Sequence, residues 1–208
     1  MQPFDLSGRQ LRLPKLRAGA SPLATTVFAL ATCAIGPARA DPCTINGTTA
    51  TCSGDQSAGI QINTGSGLTS LFVQSVTTNI GPPNGIAFRS EGADGGNNGS
   101  GADGTNLSVT TDDTVVIHAT GGASGIYVSS TGGNSFDVSQ GHGGIAGDVT
   151  VSNAGVVTTT GVNAYGILAR SIGGNGRPNN QDDGALGAPG GVVTVTNAGT
   201  ASITTTND

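Results

Sequence analysis

The segment YGILARSIGG, residues 165–174, decides the fold of this chain. Its apolar residues alternate in the way that is typical of a β-strand, and the strand ends abruptly in glycines. Similar segments lie at 84–92 (NGIAFRSEG) and 124–133 (SGIYVSSTGG), so that Gly-Ile pairs begin at positions 85, 125 and 166, with an earlier pair at 59. This self-similarity, at intervals of 40 and 41 residues, predicts a repeat architecture, either a solenoid or a propeller.

Alternation within these segments predicts which side chains face a core. Arg89 and Arg170 belong to the outward set, where Ser129 occupies the equivalent position of the middle repeat and interrupts any basic ladder. We therefore interpret the two arginines as residues of a solvated strand face. The inward set consists of Ile86, Phe88, Ser90, Ile126, Val128, Ser130, Ile167, Ala169 and Ser171.

A second motif follows the first at a constant phase, as NLSVTTDDTVVIHATG at 106–121, DVTVSNAGVVTTTG at 148–161 and VVTVTNAGTASITTTND at 192–208. Each copy predicts two short strands separated by a turn. Asn-Ala-Gly supplies this turn at 153–155 and 197–199, because Asn and Gly adopt positive φ at low cost. Each repeat is therefore expected to contain three strands.

Three strands per repeat without helical periodicity predict an all-β fold, a right-handed parallel β-helix (solenoid) with Gly-rich loops over residues 59–208. Equivalent strands of successive coils would lie about 4.8 Å apart, so that ladders of aliphatic side chains replace a conventional core. Such a core suits a chain with 36 Gly, 3% aromatic residues and no Trp. A propeller would need a fourth strand per repeat and aromatic signatures.

Glycine-rich tracts separate the two motifs at 91–106, 131–144 and 173–191. Because the tracts occur at the same point of every repeat, we expect them to project from one edge as a row of flexible loops. These loops are the predicted contact surface.

Residues 1–40 have the order of a secretory signal peptide, with a basic region, an apolar stretch and small residues that predict cleavage after Ala40. An uncleaved membrane anchor and lipidation at Cys33 are alternative interpretations. Residues 41–208 contain three basic and twelve acidic residues, a net charge of −9, and no Lys. Nucleic acid is therefore not expected as a partner, since phosphate binding needs clustered basic residues.

The segment CTINGTTATC, residues 43–52, places Cys43 and Cys52 on either side of Asn46-Gly47, a strong hairpin signal. Two short strands joined by that turn would bring the cysteines opposite each other, which predicts a disulfide. We expect this hairpin, within 41–58, to cap the first coil. Two free thiols, or a metal site without further ligands, are the alternatives.

Candidate metal ligands are few. Asp94 and Asp103 lie nine residues apart in GADG segments and are weak candidates for calcium, as in nonapeptide β-rolls. His118 and His142 have no Cys or His cluster around them, so neither a metal nor any other cofactor is expected. The stretch 99–104 matches a dinucleotide fingerprint but lacks the strand and helix that this motif requires.

No catalytic arrangement is evident, and we do not expect an enzyme. Polysaccharide-cleaving β-helices align acidic residues on one strand face and serine hydrolases need a nucleophile with its base, whereas the acids here lie in loops and no G-x-S-x-G occurs.

The pattern GI-x-x-x-S, followed by SIGGNG and VTVSNAGVVTTTG behind a signal sequence and CTINGTTATC, resembles the passenger regions of autotransporters of Gram-negative bacteria. The resemblance covers roughly residues 41–208. It implies export, translocation by an outer-membrane barrel, and display of a β-helix at the cell surface, where it would bind host or matrix surface molecules.

No barrel is found in this sequence, which ends in ITTTND just before the next Gly-Ile would be due. We therefore expect an N-terminal passenger segment, truncated in mid-coil. The leading hypothesis is an adhesin-like surface protein that binds through its loops. A calcium-dependent secreted β-roll is the alternative, and a polysaccharide-active β-helix enzyme is the third.

Overall fold

The fold is described from a computed structural model, in which residues 40–63, 67–81, 85–96, 99–136, 141–176 and 186–207 are placed. The predicted signal peptide 1–40 lies outside these residues except for Ala40, and so does Cys33. Within the described ranges the chain forms strands and no helix, so none of these residues belongs to a helix able to cross a bilayer.

The strands of the described residues are β1 (Thr44–Asn46), β2 (Thr49–Gly54), β3 (Ile60–Asn63), β4 (Ser70–Val76), β5 (Ile86–Glu91), β6 (Leu107–Thr111), β7 (Val116–Ala119), β8 (Ile126–Thr131), β9 (Val149–Asn153), β10 (Val156–Thr160), β11 (Ile167–Ile172), β12 (Val193–Asn197) and β13 (Ser202–Thr206).

These strands form three sheets in which every strand except β1 pairs with its counterpart one repeat away. The first sheet has the order β1-β2-β4-β6-β9-β12, the second β7-β10-β13 and the third β3-β5-β8-β11. Every pairing is parallel except that of β1 with β2. The protein is therefore all-β with parallel sheets, an arrangement compatible with a β-helix-like fold.

The predicted register of the Gly-Ile segments is confirmed. Ile126 pairs with Ile86 on one side and with Ile167 on the other, so the three isoleucines form one row across the third sheet. Ile60 continues the row, in register with Ile86, although only 26 residues separate them and no glycine tract intervenes.

The predicted inward side chains of β5 and β8 are buried in the core, whereas Ile167 and Ala169 of β11 are half-buried against it. Ile86, Phe88, Ile126 and Val128 are all completely buried. Arg89 is exposed, as the alternation predicts. The outward face is not uniformly solvated, however, because Ala87, assigned to it by the same alternation, is only 1% exposed and lies beside the larger Tyr127 of the next strand.

The serines of the inward set do more than fill space. Each accepts a hydrogen bond from the backbone N–H that lies two residues before the next strand of the first sheet. The pairs are Ser90 Oγ with Thr105 N (2.9 Å), Ser130 Oγ with Gly147 N (2.9 Å) and Ser171 Oγ with Gly191 N (2.6 Å).

The corner after β9 lies at the predicted Asn-Ala-Gly, where Asn153 Oδ1 accepts from the N–H of Gly155 (3.3 Å), but it does not use the positive φ that we expected. Neither Asn153 nor Gly155 has a positive φ. Asn153 is instead completely buried, accepts a hydrogen bond from Thr111 Oγ1 (2.8 Å) and donates through Nδ2 to Asn197 Oδ1 (2.7 Å). The asparagine therefore acts as a rung of a polar ladder inside the corner, because a buried amide needs partners that the equivalent residues of neighbouring repeats supply.

The predicted hairpin forms at the N-terminal end of the first sheet. β1 and β2 are antiparallel, Gly47 in their turn has φ +59°, and the sulfurs of Cys43 and Cys52 lie at disulfide-bonding distance. Gln56, only 2% exposed, covers the core beneath them and donates from Nε2 to the carbonyls of Asp41 (2.9 Å) and Ser53 (2.8 Å).

The opposite end of the sheets has no such cover among the described residues. Every residue of β12 and β13 is exposed. Val195 is 48% exposed, whereas Val151, its partner in register on β9, is completely buried. The row of core side chains therefore continues into β12, where its side chains are exposed to solvent.

The glycine tracts differ most from expectation. Instead of forming a row of separate flexible loops, their described parts hydrogen-bond to one another. Each tract has an outgoing arm, which leaves the strand before it, and a returning arm, which leads to the strand after it. Outgoing and returning arms alternate along the edge of the sheets. This ladder of arms runs through Ala102 N to Ala93 O (2.8 Å), Gly133 N to Ala102 O (2.8 Å), Gly144 N to Gly133 O (2.8 Å), Gly174 N to Gly144 O (2.8 Å) and Ala188 N to Gly174 O (2.9 Å).

Close approach explains why glycine fills this ladder. A Cβ on Gly144 would collide with the backbone carbonyl of Ala102, and a Cβ on Gly133 would collide with that of Ala93. Neither glycine has a positive φ. The residues are therefore required because the arms pack backbone against backbone, and not because the chain must adopt a left-handed conformation.

Candidate functional site

The outer face of the third sheet carries the basic residues that the sequence singles out. Arg89, Ser129 and Arg170 occupy equivalent positions of β5, β8 and β11 and lie in one row, in register. Both arginines are exposed, while Ser129 is only 6% exposed. The predicted interruption of the basic ladder is therefore correct, and it leaves a small residue between two cations.

Arg89 is held by an aromatic neighbour. Its guanidinium carbon lies 4.7 Å from the ring centroid of Tyr127, a cation–π contact that fixes the planar head over the middle strand. Neither Arg89 nor Arg170 forms an ion pair with any other described residue. Their charges are therefore available to a partner, on a chain whose residues after position 40 are otherwise strongly acidic.

The calcium candidates are engaged in hydrogen bonds between repeats. Asp94 Oδ1 accepts from the backbone N–H of Asn134 (2.7 Å), and Asn134 Oδ1 accepts in turn from that of Asn175 (3.0 Å). Asp103 Oδ1 accepts from the N–H of Ile145 (2.7 Å). These side chains connect the glycine tracts of successive repeats; Asp94 and Asp103 belong to the first tract and Asn134 to the second.

The remaining sequence candidates are not brought together. His118 lies exposed on β7, and His142 lies exposed in the second tract, where its backbone N–H donates to Ser100 Oγ (3.2 Å). No group of three or more His, Cys, Asp or Glu residues suited to a metal occurs within the described ranges. The fingerprint-like stretch 99–104 is not followed by a helix.

One carboxylate of the N-terminal cap accepts two hydrogen bonds at one oxygen. Thr78 Oγ1 donates to Asp55 Oδ1 (2.6 Å), and the backbone N–H of Ser57 donates to the same oxygen (2.9 Å). These bonds favour the charged form and hold the pKa of Asp55 below its usual value. The group connects the cap to Thr78, which follows β4, and has no cationic partner among the described residues.

The edge built by the tracts exposes large apolar side chains. Phe136 is 46% exposed on an outgoing arm, and Ile145 and Leu186 are 49% and 70% exposed on returning arms. The two returning arms are neighbours, because Gly143 N donates to Leu186 O (3.3 Å). Sequence analysis did not single out these residues, since they stand alone among glycines without any periodic pattern.

A small open cavity of about 160 Å³ lies at the far corner, lined by Gly161, Asn163, Ala164, Thr205, Thr206 and Asn207. No titratable side chain lines it. The outer face of the third sheet and the apolar edge of the tracts are therefore the two candidate interaction surfaces of the described chain. No protein-family model, no curated protein and no solved structure matches the sequence.

Proposed function

We propose that this chain is an exported, adhesin-like segment of an autotransporter passenger, built as a right-handed parallel β-helix. The observation that carries the proposal is the register. The row from Ile60 through Ile86 and Ile126 to Ile167 places one residue of each successive repeat in a single line. Such stacking is the arrangement that a parallel β-helix requires, and it brings the glycine tracts together along one edge of the sheets.

The N-terminal cap supports export. Cys43 and Cys52 are at bonding distance, and disulfides persist in oxidising compartments such as the periplasm or the cell exterior. A signal peptide ending at Ala40 would leave this hairpin as the first folded element. The barrel that would carry the passenger through the outer membrane of a Gram-negative bacterium is the expected partner.

Adhesion is assigned to the tract edge. Phe136, Ile145 and Leu186 are large apolar side chains held on a hydrogen-bonded support, and exposed apolar groups on rigid elements are typical of protein interaction sites. Host or matrix surface molecules are the proposed partners, and the proposal assigns no catalytic step.

Export is tested by producing the full chain in a Gram-negative host and sequencing the N-terminus of the periplasmic product. The expected product begins at Asp41 and contains an oxidised Cys43–Cys52 pair. Ala40→Lys serves as the matched control and should block processing. A chain that stays intact and reduced in the cytoplasm would contradict the proposal.

Adhesion is tested with beads that carry the full chain on a surface coated with basement-membrane extract. Phe136→Ser, Ile145→Ser and Leu186→Ser together should reduce attachment, whereas the control pair Val162→Ser and Tyr165→Ser, which are 63% and 49% exposed elsewhere, should not. An equal loss of attachment in the control pair would show nonspecific hydrophobic adsorption and would contradict the assignment of adhesion to the tract edge. A gain of β-structure only on adding calcium, followed by circular dichroism, would instead favour the β-roll.

A further inference from the structure

Asp41, the residue that follows the predicted cleavage site, is fixed by hydrogen bonds at three points. Its backbone N–H donates to Asp55 O (2.6 Å), its carbonyl accepts from Gln56 Nε2 (2.9 Å), and its Oδ2 accepts from the backbone N–H of Asp55 (2.9 Å). Ala40, one residue earlier, forms no hydrogen bond with another described residue. The hydrogen bonding of the described chain therefore begins at the residue that would become the first one of a processed protein.

The backbone on the other side of this contact is shaped to receive Asp41. Gly54 has φ +74°, and a Cβ at this position would collide with the carboxylate of Asp41, so glycine is required both for its conformation and for the close approach. The carboxylate of Asp55 is held in turn by Ser57 and Thr78. Neither carboxylate forms an ion pair with any described residue. The bond from Asp41 N to Asp55 O therefore joins two residues whose negative charges have no cationic partner in the described part of the chain.

Cleavage after Ala40 changes the nitrogen of Asp41 chemically. Hydrolysis of the Ala40–Asp41 peptide bond consumes one water, leaves a carboxylate on Ala40 and releases an α-amine on Asp41, which takes up the proton and is mostly charged at neutral pH. The amide N–H is thereby replaced by an ammonium group with three donors and one positive charge. One donor keeps the bond to Asp55 O, which becomes a charge-assisted hydrogen bond, roughly twice as strong as a neutral one.

We propose that the cap contains a binding site for the α-ammonium group of Asp41, so that removal of the signal peptide stabilises the fold. The inference rests on the cleavage after Ala40 that is part of the proposed function, and it deepens that function by giving the new N-terminus a structural role. The site is specific for one bond, because a cut one residue earlier would place the charge about 3.5 Å further along the chain. The cap is therefore weaker in the uncleaved chain, in which the nitrogen is a neutral amide.

The contribution of this charge can be measured alone, because residues 41–208 contain no Lys and the α-amine is the amine that an acetylating reagent modifies in the processed chain. A protease site placed before Asp41 in the full chain allows the folded protein to be cut so that it begins at Asp41. A second protein is cut one residue earlier, begins at Ala40, and serves as the matched control. Each is compared with its acetylated form by urea unfolding at pH 7. Acetylation of Asp41 restores an amide with its N–H and removes the charge.

Acetylation of the protein that begins at Asp41 should raise the equilibrium constant of unfolding about fivefold, a fall of about 0.5 M in the urea midpoint, whereas the protein that begins at Ala40 should change less than half as much. The difference between the free and acetylated forms should disappear at about pH 10, where the amine is neutral while Asp41 and Asp55 stay charged. Equal midpoints of the two forms at pH 7, or equal losses in the two proteins, overturn the proposal. The measurement does not depend on cleavage in the cell, so its failure is distinct from a failure of the N-terminal sequencing that tests export.

Discussion

Replacing Gly144 by Ala tests whether the ladder of arms holds the protein together. Gly144 is buried, donates its N–H to Gly133 O and accepts from Gly174 N, both at 2.8 Å. The added Cβ would collide with the carbonyl group of Ala102, so the two arms must separate. Breaking two hydrogen bonds costs about 1 kcal/mol each, and overpacking adds about 1–3 kcal/mol. We expect the free energy of unfolding to fall by about 3–5 kcal/mol.

The matched control is Gly96→Ala. Gly96 belongs to the first tract and has no positive φ, and a Cβ at this position would meet no atom within 4 Å. The substitution should be neutral or stabilising by about 0.4–1 kcal/mol, because alanine restricts the unfolded chain. Urea unfolding followed by far-UV circular dichroism measures both variants, and with a slope of about 2 kcal/mol per M the midpoint of Gly144→Ala should fall by about 2 M. Losses that agree within about 0.5 kcal/mol would refute the packing argument.

Three further predictions concern the core and the cap. Ile126→Ala should cost about 3–4 kcal/mol in urea unfolding, because the side chain is completely buried, whereas Ile203→Ala, at 41% exposed, should cost less than half as much; equal costs would contradict the assignment of the core. Reducing the hairpin disulfide, whose cysteines are 9 residues apart, should remove about 2.6 kcal/mol by loop entropy and lower the melting temperature by about 5–10 °C, and an unchanged melting temperature would count against it. The lowered pKa of Asp55 stabilises the fold at neutral pH, and this contribution is lost as the pH falls through the lowered value. Thr78→Val should therefore raise the pKa of Asp55 in an NMR titration, and an unaltered curve would show that the Thr78 bond is not its cause.

The sequence predicts the strand register because the repeats carry their own alignment. The Gly-Ile pairs at 85, 125 and 166 fix which residues become neighbours, and alternation then assigns Phe88 and Val128 to the core. Both inferences use only local pattern and the geometry of an extended strand. They are correct because each strand of a repeat pairs only with the equivalent strands of the adjacent repeats.

The packing of the glycine tracts could not be predicted in the same way. A glycine-rich segment gives no side-chain signal, and the identical composition is compatible with a mobile loop or with close backbone contact. The role of Asn153 was hidden for a related reason. Asparagine favours turns when its side chain is solvated, but here Thr111 and Asn197 of neighbouring repeats bury it and satisfy its amide.

In the candidate sites, too, the repeat predicts which residues share a row, but it does not predict how their side chains pack. Placing Arg89, Ser129 and Arg170 in one row follows from the repeat, and the sequence allows it to be foreseen. The stacking of Arg89 on Tyr127 does not follow, because it is a diagonal contact that depends on side-chain rotamers. The exposure of Phe136 was equally unpredictable, since it depends on how the arms of the tract pack.

Repeats with the same apolar pattern could pair in the wrong order, because a strand that pairs one coil too early or too late still places apolar residues beside apolar residues. One row of inward side chains disfavours this error, because its members differ in volume; it consists of Ile62, Phe88, Val128 and Ala169. Phe88, the bulkiest of the fully enclosed residues, would be overpacked by about 1–3 kcal/mol in a slot shaped for valine. The volume of Phe88 therefore disfavours any pairing in which its strand occupies the position of a neighbouring coil.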